Sequence, residues 1–200
     1  VTKATKRTTN FNLGSAKPIG FALLFLAIAC QDSRGEIEKH AIVDCKGICF
    51  YWWPKLAPIP GWHSDQAVNY STGENGANVL IPDGSSFADA DTIMYASATF
   101  KPRYEKDNPK SKSLAAFIAD DEAHFREEGR NIAQAAPLTT KNGQTLRSLT
   151  FILPKGAQWE RVSYGEEGEY YLLFVISSRT ESGFRKNQDA YEHLVEQYRR

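Results

Sequence analysis

The chain lacks an excess of either charge: 24 lysines and arginines face 24 acidic residues over 200 positions, a formal net of zero. Past residue 30 it also lacks a basic run, so the electrostatic footprint of a nucleic-acid-binding surface is missing. No apolar stretch approaches the ~20 residues that a membrane-spanning helix requires. Catalytic and metal signatures are equally scarce. There is no G-x-S-x-G, no H-E-x-x-H, no C-x-x-C and no EF-hand loop, since ADADT lacks the Asp-x-Asp-x-Asp-Gly ladder. What the chain does have is 42% apolar and 12% aromatic content. That suits one globular domain whose core needs no metal or disulfide to hold it.

Charge is unevenly spread. Residues 1–30 hold Lys3, Lys6, Arg7 and Lys17 and no acid, leaving 20 basic against 24 acidic residues beyond them, a net of −4. The basic stretch runs into PIGFALLFLAIAC, in which residues 19–29 are uncharged and almost wholly apolar. Such a run fits the h-region of a signal peptide and is too short to span a bilayer. Small residues stand at −1 and −3 of a cleavage before Cys30, in Ala27-Ile28-Ala29. The expectation is a signal peptide over residues 1–29 and export to the periplasm or cell envelope. Cys30 is then either the mature N-terminus or the lipid-modified first residue of a lipoprotein, although Leu26 sits at −4 where a lipobox has leucine at −3. A buried N-terminal helix is the alternative, opposed by the polar QDSRGE that follows.

Export places the remaining cysteines in an oxidising compartment. Cys45 and Cys49, in CKGIC, are an even pair, and Gly47 permits the tight turn that a disulfide across so short a loop demands. Two small buried thiols are the other reading. Residues 30–48 read as a tether with this turn, or as a first short element, ahead of a globular domain over 49–200.

The densest aromatic stretch, residues 50–66, is FYWWPKLAPIPGWHSDQ, with three of the four tryptophans. Alternation puts Phe50, Trp52 and Leu56 on one face, Tyr51, Trp53 and Lys55 on the other, with Pro54 marking an edge or an end. Residues 63–76 are polar and turn-rich. Strands follow over 77–82 and 92–101, the latter with Met94, Ala96 and Ala98 as its more buried side and Ile93, Tyr95, Ser97 and Thr99 opposite. PRYEKDNPKSK reads as a charged loop ending at Ser113, a natural N-cap. A helix with Leu114, Phe117, Ile118 and Phe125 on one stripe then runs to Gly129, and Asp120, Asp121 and Glu122 fall mostly off that stripe as a solvated face. Residues 145–153 alternate, and 159–164, GEEG and 170–177 form a hairpin. YYLLFVI is apolar on both faces and so is a central strand. SSRTE starts a terminal helix with Phe184, Tyr191, Leu194, Val195 and Tyr198 inward.

The order is strands, helix, four strands, helix. Short turns between strands make the sheet antiparallel, and a central strand apolar on both sides needs two covers. The expected fold is α+β: a single domain with an antiparallel sheet and helices on both faces, an α/β/α sandwich. The helix after SKSLAAFIADDEAHF, the antiparallel strands and the closing YYLLFVISSRTESGFRKNQDAYEHLVEQY resemble the PsbP-like superfamily in element order over about residues 49–198. That superfamily includes the photosystem II extrinsic subunit and exported bacterial lipoproteins of the DcrB type. The resemblance implies a binding or assembly factor rather than a catalyst.

Three chemistries can be weighed. His63, His124 and His193 could each act as a base, but no motif pairs one with a nucleophile, and His124 and His193 read as helix surface. Ser71, in NYSTG, lacks the strand–helix context of a nucleophile elbow. His63 and Asp65, with Asp83, Asp89 and Asp91 nearby, could supply metal ligands, yet the aspartates read better as turn and cap residues, so no metal and no cofactor is expected. Asn69-Tyr70-Ser71 fits a glycosylation sequon. Finally, Tyr51, Trp53, Trp62, His63 and Asp65 could form an aromatic shelf with a polar rim, suited to a sugar, a lipid headgroup or a protein. Burial of the tryptophans in the core is the competing fate. The functional expectation is an exported cell-envelope module that binds an envelope protein or amphipathic ligand, touching a membrane only through a lipid on Cys30. The rival is a periplasmic hydrolase or metal-dependent enzyme centred on His63 and Asp65.

Overall fold

Period-two patterning and short turns build the chain's sheet, and the computed structural model describes it over residues 37–42, 49–66, 68–69, 76–110 and 112–199. Strands β1 (Ile37–Ile42) and β2 (Cys49–Pro54) pair antiparallel as a two-stranded ribbon. Then come β3 (Trp62–Ser64), β4 (Asn78–Pro82) and β5 (Thr92–Phe100). Helices α1 (Lys101–Asp107) and α2 (Leu114–Glu127) follow. Four further strands are β6 (Asn131–Thr139), β7 (Thr145–Ile152), β8 (Trp159–Glu167) and β9 (Tyr170–Ser178), and α3 (Glu181–Lys186) and α4 (Gln188–Gln197) end the domain. Strands β3 to β9 form one antiparallel sheet in the order β3-β4-β5-β9-β8-β7-β6. All described residues belong to one compact unit, Ser33–Arg200.

The fold is α+β with a large antiparallel sheet, as the short connections require. Strand β9 lies at its centre between β5 and β8, and its two sets of alternate residues enter different clusters. Leu172, Phe174 and Ile176 join Met94, Ala96 and Ala98 of β5 and Phe184, Tyr191, Leu194 and Val195 of α3 and α4. Tyr171 and Val175 join Leu149, Phe151, Val162 and Tyr164 of the neighbouring strands and Phe117 and Ile118 of α2. One polar chain crosses the first cluster. The Tyr191 hydroxyl donates to the Phe174 carbonyl at 2.8 Å and lies 2.7 Å from Ser163 Oγ, itself 2.7 Å from Ser148 Oγ. Each buried hydroxyl is thereby satisfied, as burial demands.

Local signals explain most boundaries. Ser113 Oγ accepts from the Ala116 N–H and caps α2, and Gly129 follows its end at φ +77°, where a side chain would be strained. Four segments differ from expectation. Part of the 30–48 tether pairs as β1, with Glu38, Lys39, His40 and Ala41 across from Trp53, Trp52, Tyr51 and Phe50 of β2. The start of the PRYEKDNPKSK loop is α1, where Pro102 costs nothing in the first turn, whose N–H groups have no helical partner. The polar 63–76 region begins inside β3. The terminal helix breaks at Asn187 into α3 and α4. Cys49 is disulfide-bonded, while Cys30 and Cys45 lie outside the described residues. No helix among the described residues is long and apolar enough to cross a membrane.

Candidate functional site

The aromatic shelf expected from residues 50–66 is not assembled in one place. Trp53 is buried, 3% exposed, and stacks on His40 with ring centroids 3.9 Å apart. Tyr51 is half-buried beside it, and both rings press on Gly76, where an added Cβ would come within 3.0 Å of each. Trp62 packs against the other cluster, with Trp52 and Leu56. His63 is exposed, with Nδ1 3.3 Å from Asp83 Oδ1 across β3 and β4. Asp65 heads a turn, its carbonyl accepting from the Val68 N–H at 3.3 Å. Burial of the two tryptophans of β2 follows from the ribbon: Trp52 faces the first core cluster and Trp53 the opposite side, against Gly76. Among the described residues no three His, Cys, Asp or Glu side chains are grouped to hold a metal ion.

A cleft of about 610 Å³ opens instead between the sheet and helices α1 and α2. Its floor is the half-buried side of β5, Tyr95, Ser97 and Thr99, continued by Leu173 and Val175 of β9 and Val162 of β8. The opposite side of β5 carries Met94, Ala96 and Ala98, each fully buried. Strand geometry therefore sends the three side chains to one face, their Cα atoms about 7 Å from one to the next. None of the three hydroxyls has a hydrogen-bond partner among the described residues. Gly76 and Ala77 close one end.

The walls are helical. Lys101 starts α1 and is fixed by its ammonium, 2.8 Å from Glu166 and 2.9 Å from the Gly168 carbonyl in the β8–β9 turn. Tyr104, one turn on, meets Phe117 edge-on at 5.0 Å and donates to Asp120 at 2.8 Å, tying α1 to α2. This anchoring leaves Arg103, Asp107 and Asn108 on the cleft side of α1. Arg103 is exposed and makes no ion pair. On α2, Phe117, Asp121 and Phe125 repeat every fourth residue and so share a face, with His124 at the rim.

Glu122, half-buried and paired with Arg126 and Arg147, is not part of a solvated face as expected of the acidic run, and neither is Asp121. Asp121 is half-buried and accepts a hydrogen bond from the Tyr164 hydroxyl at 2.5 Å. Burial raises its carboxyl above the ordinary range, and the Tyr164 bond and the nearby His124 oppose that only in part. The Tyr95 phenol is pushed up chiefly by burial, with Glu160 and Asp121 adding to the effect. Among the described residues the arrangement offers apolar and aromatic walls, three hydroxyls without a hydrogen-bond partner, the cation of Arg103 and the carboxylate of Asp107, neither in an ion pair, and no nucleophile held by a base. The residues that line it were legible only as patterns: Tyr95, Ser97 and Thr99 share a strand face, and Asp121 sits at the helical spacing of Phe117 and Phe125.

No family model and no curated protein matches the sequence. Among solved structures the chain is similar to the solution structure of cyanobacterial PsbP (CyanoP) from Synechocystis sp. PCC 6803, at 12% identity and a TM-score of 0.43, over 91% of this chain and 95% of that one. It is also similar to the crystal structure of the Ran-binding protein Mog1p of Saccharomyces cerevisiae, at 12% identity and a TM-score of 0.39, over 80% of this chain and 89% of that one. The first of these is a PsbP, the group that the sequence resembles in element order.

Proposed function

We propose that this chain is an exported cell-envelope protein that works by binding, and that its binding site is the cleft between β5 and helices α1 and α2. The observation that carries the reading is the cleft floor: Tyr95, Ser97 and Thr99 present three hydroxyls with no hydrogen-bond partner among the described residues, beside the apolar side chains of Val162, Leu173 and Val175. Polar groups aimed into an apolar cleft are what a ligand site offers, and its volume falls in the ~300–1,000 Å³ typical of small-molecule sites. The supporting fold is an α/β/α sandwich in which α3 and α4 pack on one side of the sheet and α1 and α2 on the other, α1 meeting β5 and α2 meeting β6 and β8. The cleft lies between these two helices and that side of the sheet. Export rests on the basic residues, apolar run and Ala-Ile-Ala that stand before Cys30. The Cys45–Cys49 disulfide belongs to the same proposal, as an envelope staple at the start of the domain.

Ser97→Trp tests the site, because an indole on the floor fills the cleft while the buried side of β5 stays as it is. Native mass spectrometry of the protein purified from envelope fractions is expected to show a small molecule held by the unaltered chain and lost from the variant. Equal retention by both would place the binding elsewhere, and turnover of the molecule would replace binding with catalysis.

A further inference from the structure

We infer that the cleft takes an amphipathic organic anion, an apolar ring or chain ending in a carboxylate or sulfonate that pairs with Arg103; the inference rests on the cleft being the binding site. It follows from a count of what the cations in and around the cleft already hold. Lys101, the neighbouring cation, is spent on Glu166 and the Gly168 carbonyl. Arg130 is spent on Glu128 and Glu160, and Arg147 on Glu122. Arg103 lines the cleft and has no carboxylate within ion-pair distance, not even Asp107 one turn along α1. A guanidinium is a donor only, with a planar fork that matches a carboxylate or sulfonate.

Of the other polar groups that line the cleft, Asp107 is the one that opposes an anion, from the exposed end of α1. Tyr95, Ser97 and Thr99 can donate to acceptor oxygens along the floor, whereas Asp121 is already taken by the Tyr164 hydroxyl. Phe117, Phe125, Leu173 and Val175 then receive the apolar body. A neutral ligand of the same shape would fill the apolar part and leave the guanidinium unanswered. The anionic group is what separates the two.

Two fluorescent probes differ by that group alone: 8-anilinonaphthalene-1-sulfonate and its uncharged parent, N-phenyl-1-naphthylamine. The sulfonate is expected to bind the unaltered chain about tenfold more tightly than the parent, the size of one charge-assisted contact. Arg103→Gln, an exposed substitution that spares the fold, should remove that difference by weakening the sulfonate and leaving the parent unchanged. Equal affinities in the unaltered chain, or a sulfonate affinity indifferent to Arg103→Gln, would overturn the anion inference. Tighter binding of the parent would do so too, by giving the site to its carboxylates. Ser97→Trp keeps the two failures apart: it should weaken both probes, and if it weakens neither, the cleft itself is the wrong site. Thr99→Trp repeats that arm should Ser97→Trp fold poorly.

Discussion

Replacing Gly183 with alanine sets helix propensity against packing, and the geometry decides which wins. Gly183 stands in the first turn of α3, where its N–H donates to Thr180 Oγ1 at 3.0 Å. By propensity alone, alanine should stabilise a helix position by ~0.8–1.0 kcal/mol. Here, however, a Cβ would collide with Asp91 Oδ2 and lie 2.7 Å from both Ser178 Oγ and Thr92 Oγ1. Asp91 is exposed and can turn into water, but it then gives up the Thr180 hydroxyl at 2.7 Å, a bond to a charged group worth ~1.5–3 kcal/mol. Ser178 and Thr92 are buried and bonded to each other at 2.8 Å, so they cannot turn away, and overpacking costs a further ~1–3 kcal/mol. Taking the low end of each cost because Asp91 is exposed, and setting the propensity gain against them, the net loss is about 1.5 kcal/mol. Urea unfolding at neutral pH measures it as a lower midpoint at unchanged slope. The same substitution in an Asp91→Ala background should cost less, since the closest contact is gone, and the cycle isolates that term. A stabilised Gly183→Ala, or an equal loss with and without Asp91, would refute the reasoning.

Three further outcomes are expected. Trp53→Ala should lose ~3–5 kcal/mol of stability in denaturant melts, because the ring is buried against His40 and Gly76; an unchanged midpoint would make it a surface residue after all. Phe174→Ala should cost ~3–5 kcal/mol and Leu173→Ala clearly less, since the first is fully buried and the second borders the cleft; equal losses would contradict the placement of β9. The third concerns pH. Burial raises the carboxyls of both Asp121 and Glu160, so the folded state holds those protons more tightly than the unfolded chain does. Their contribution is therefore present in full below the ordinary carboxylate range near ~4 and lost as pH rises through the raised folded values. Asp121→Asn keeps an acceptor for Tyr164 and removes one of the two groups. Its stability relative to the unaltered chain should rise from pH 4 to pH 7, and a fall over that interval would mean the carboxylate is favourable when charged.

Legibility in the sequence followed the strength of each local signal. The α2 cap at Ser113, the stripe of Phe117, Ile118 and Phe125, the β8–β9 hairpin and the two-sided apolar β9 were all readable, because period and punctuation coincide there. Strand β6 had no such pattern. NIAQAAPLT forms the sheet's edge, is mostly exposed, and is bulged between Ala135 and Leu138, so burial wrote no alternation into it. The tryptophans of 50–66 misled as a site for a related reason. Their alternation correctly split Trp52 from Trp53, but it could not show that the odd side lies under Gly76 rather than in the open. The cleft was readable only in fragments, because its floor, its walls and its closed end come from segments far apart in the chain. Three hydroxyls on one strand face gain meaning only once α1 and α2 wall a cleft over them.

The most direct test of the cleft is to map amide chemical shifts of the isotopically labelled chain as 8-anilinonaphthalene-1-sulfonate is added. The account predicts that the shifting amides cluster on β5 around Tyr95, Ser97 and Thr99, on α1 around Arg103 and on α2 from Phe117 to Phe125, with Trp62 and His63 unmoved. Shifts centred on the β3 edge at Trp62 and His63, with β5 unchanged, would contradict it.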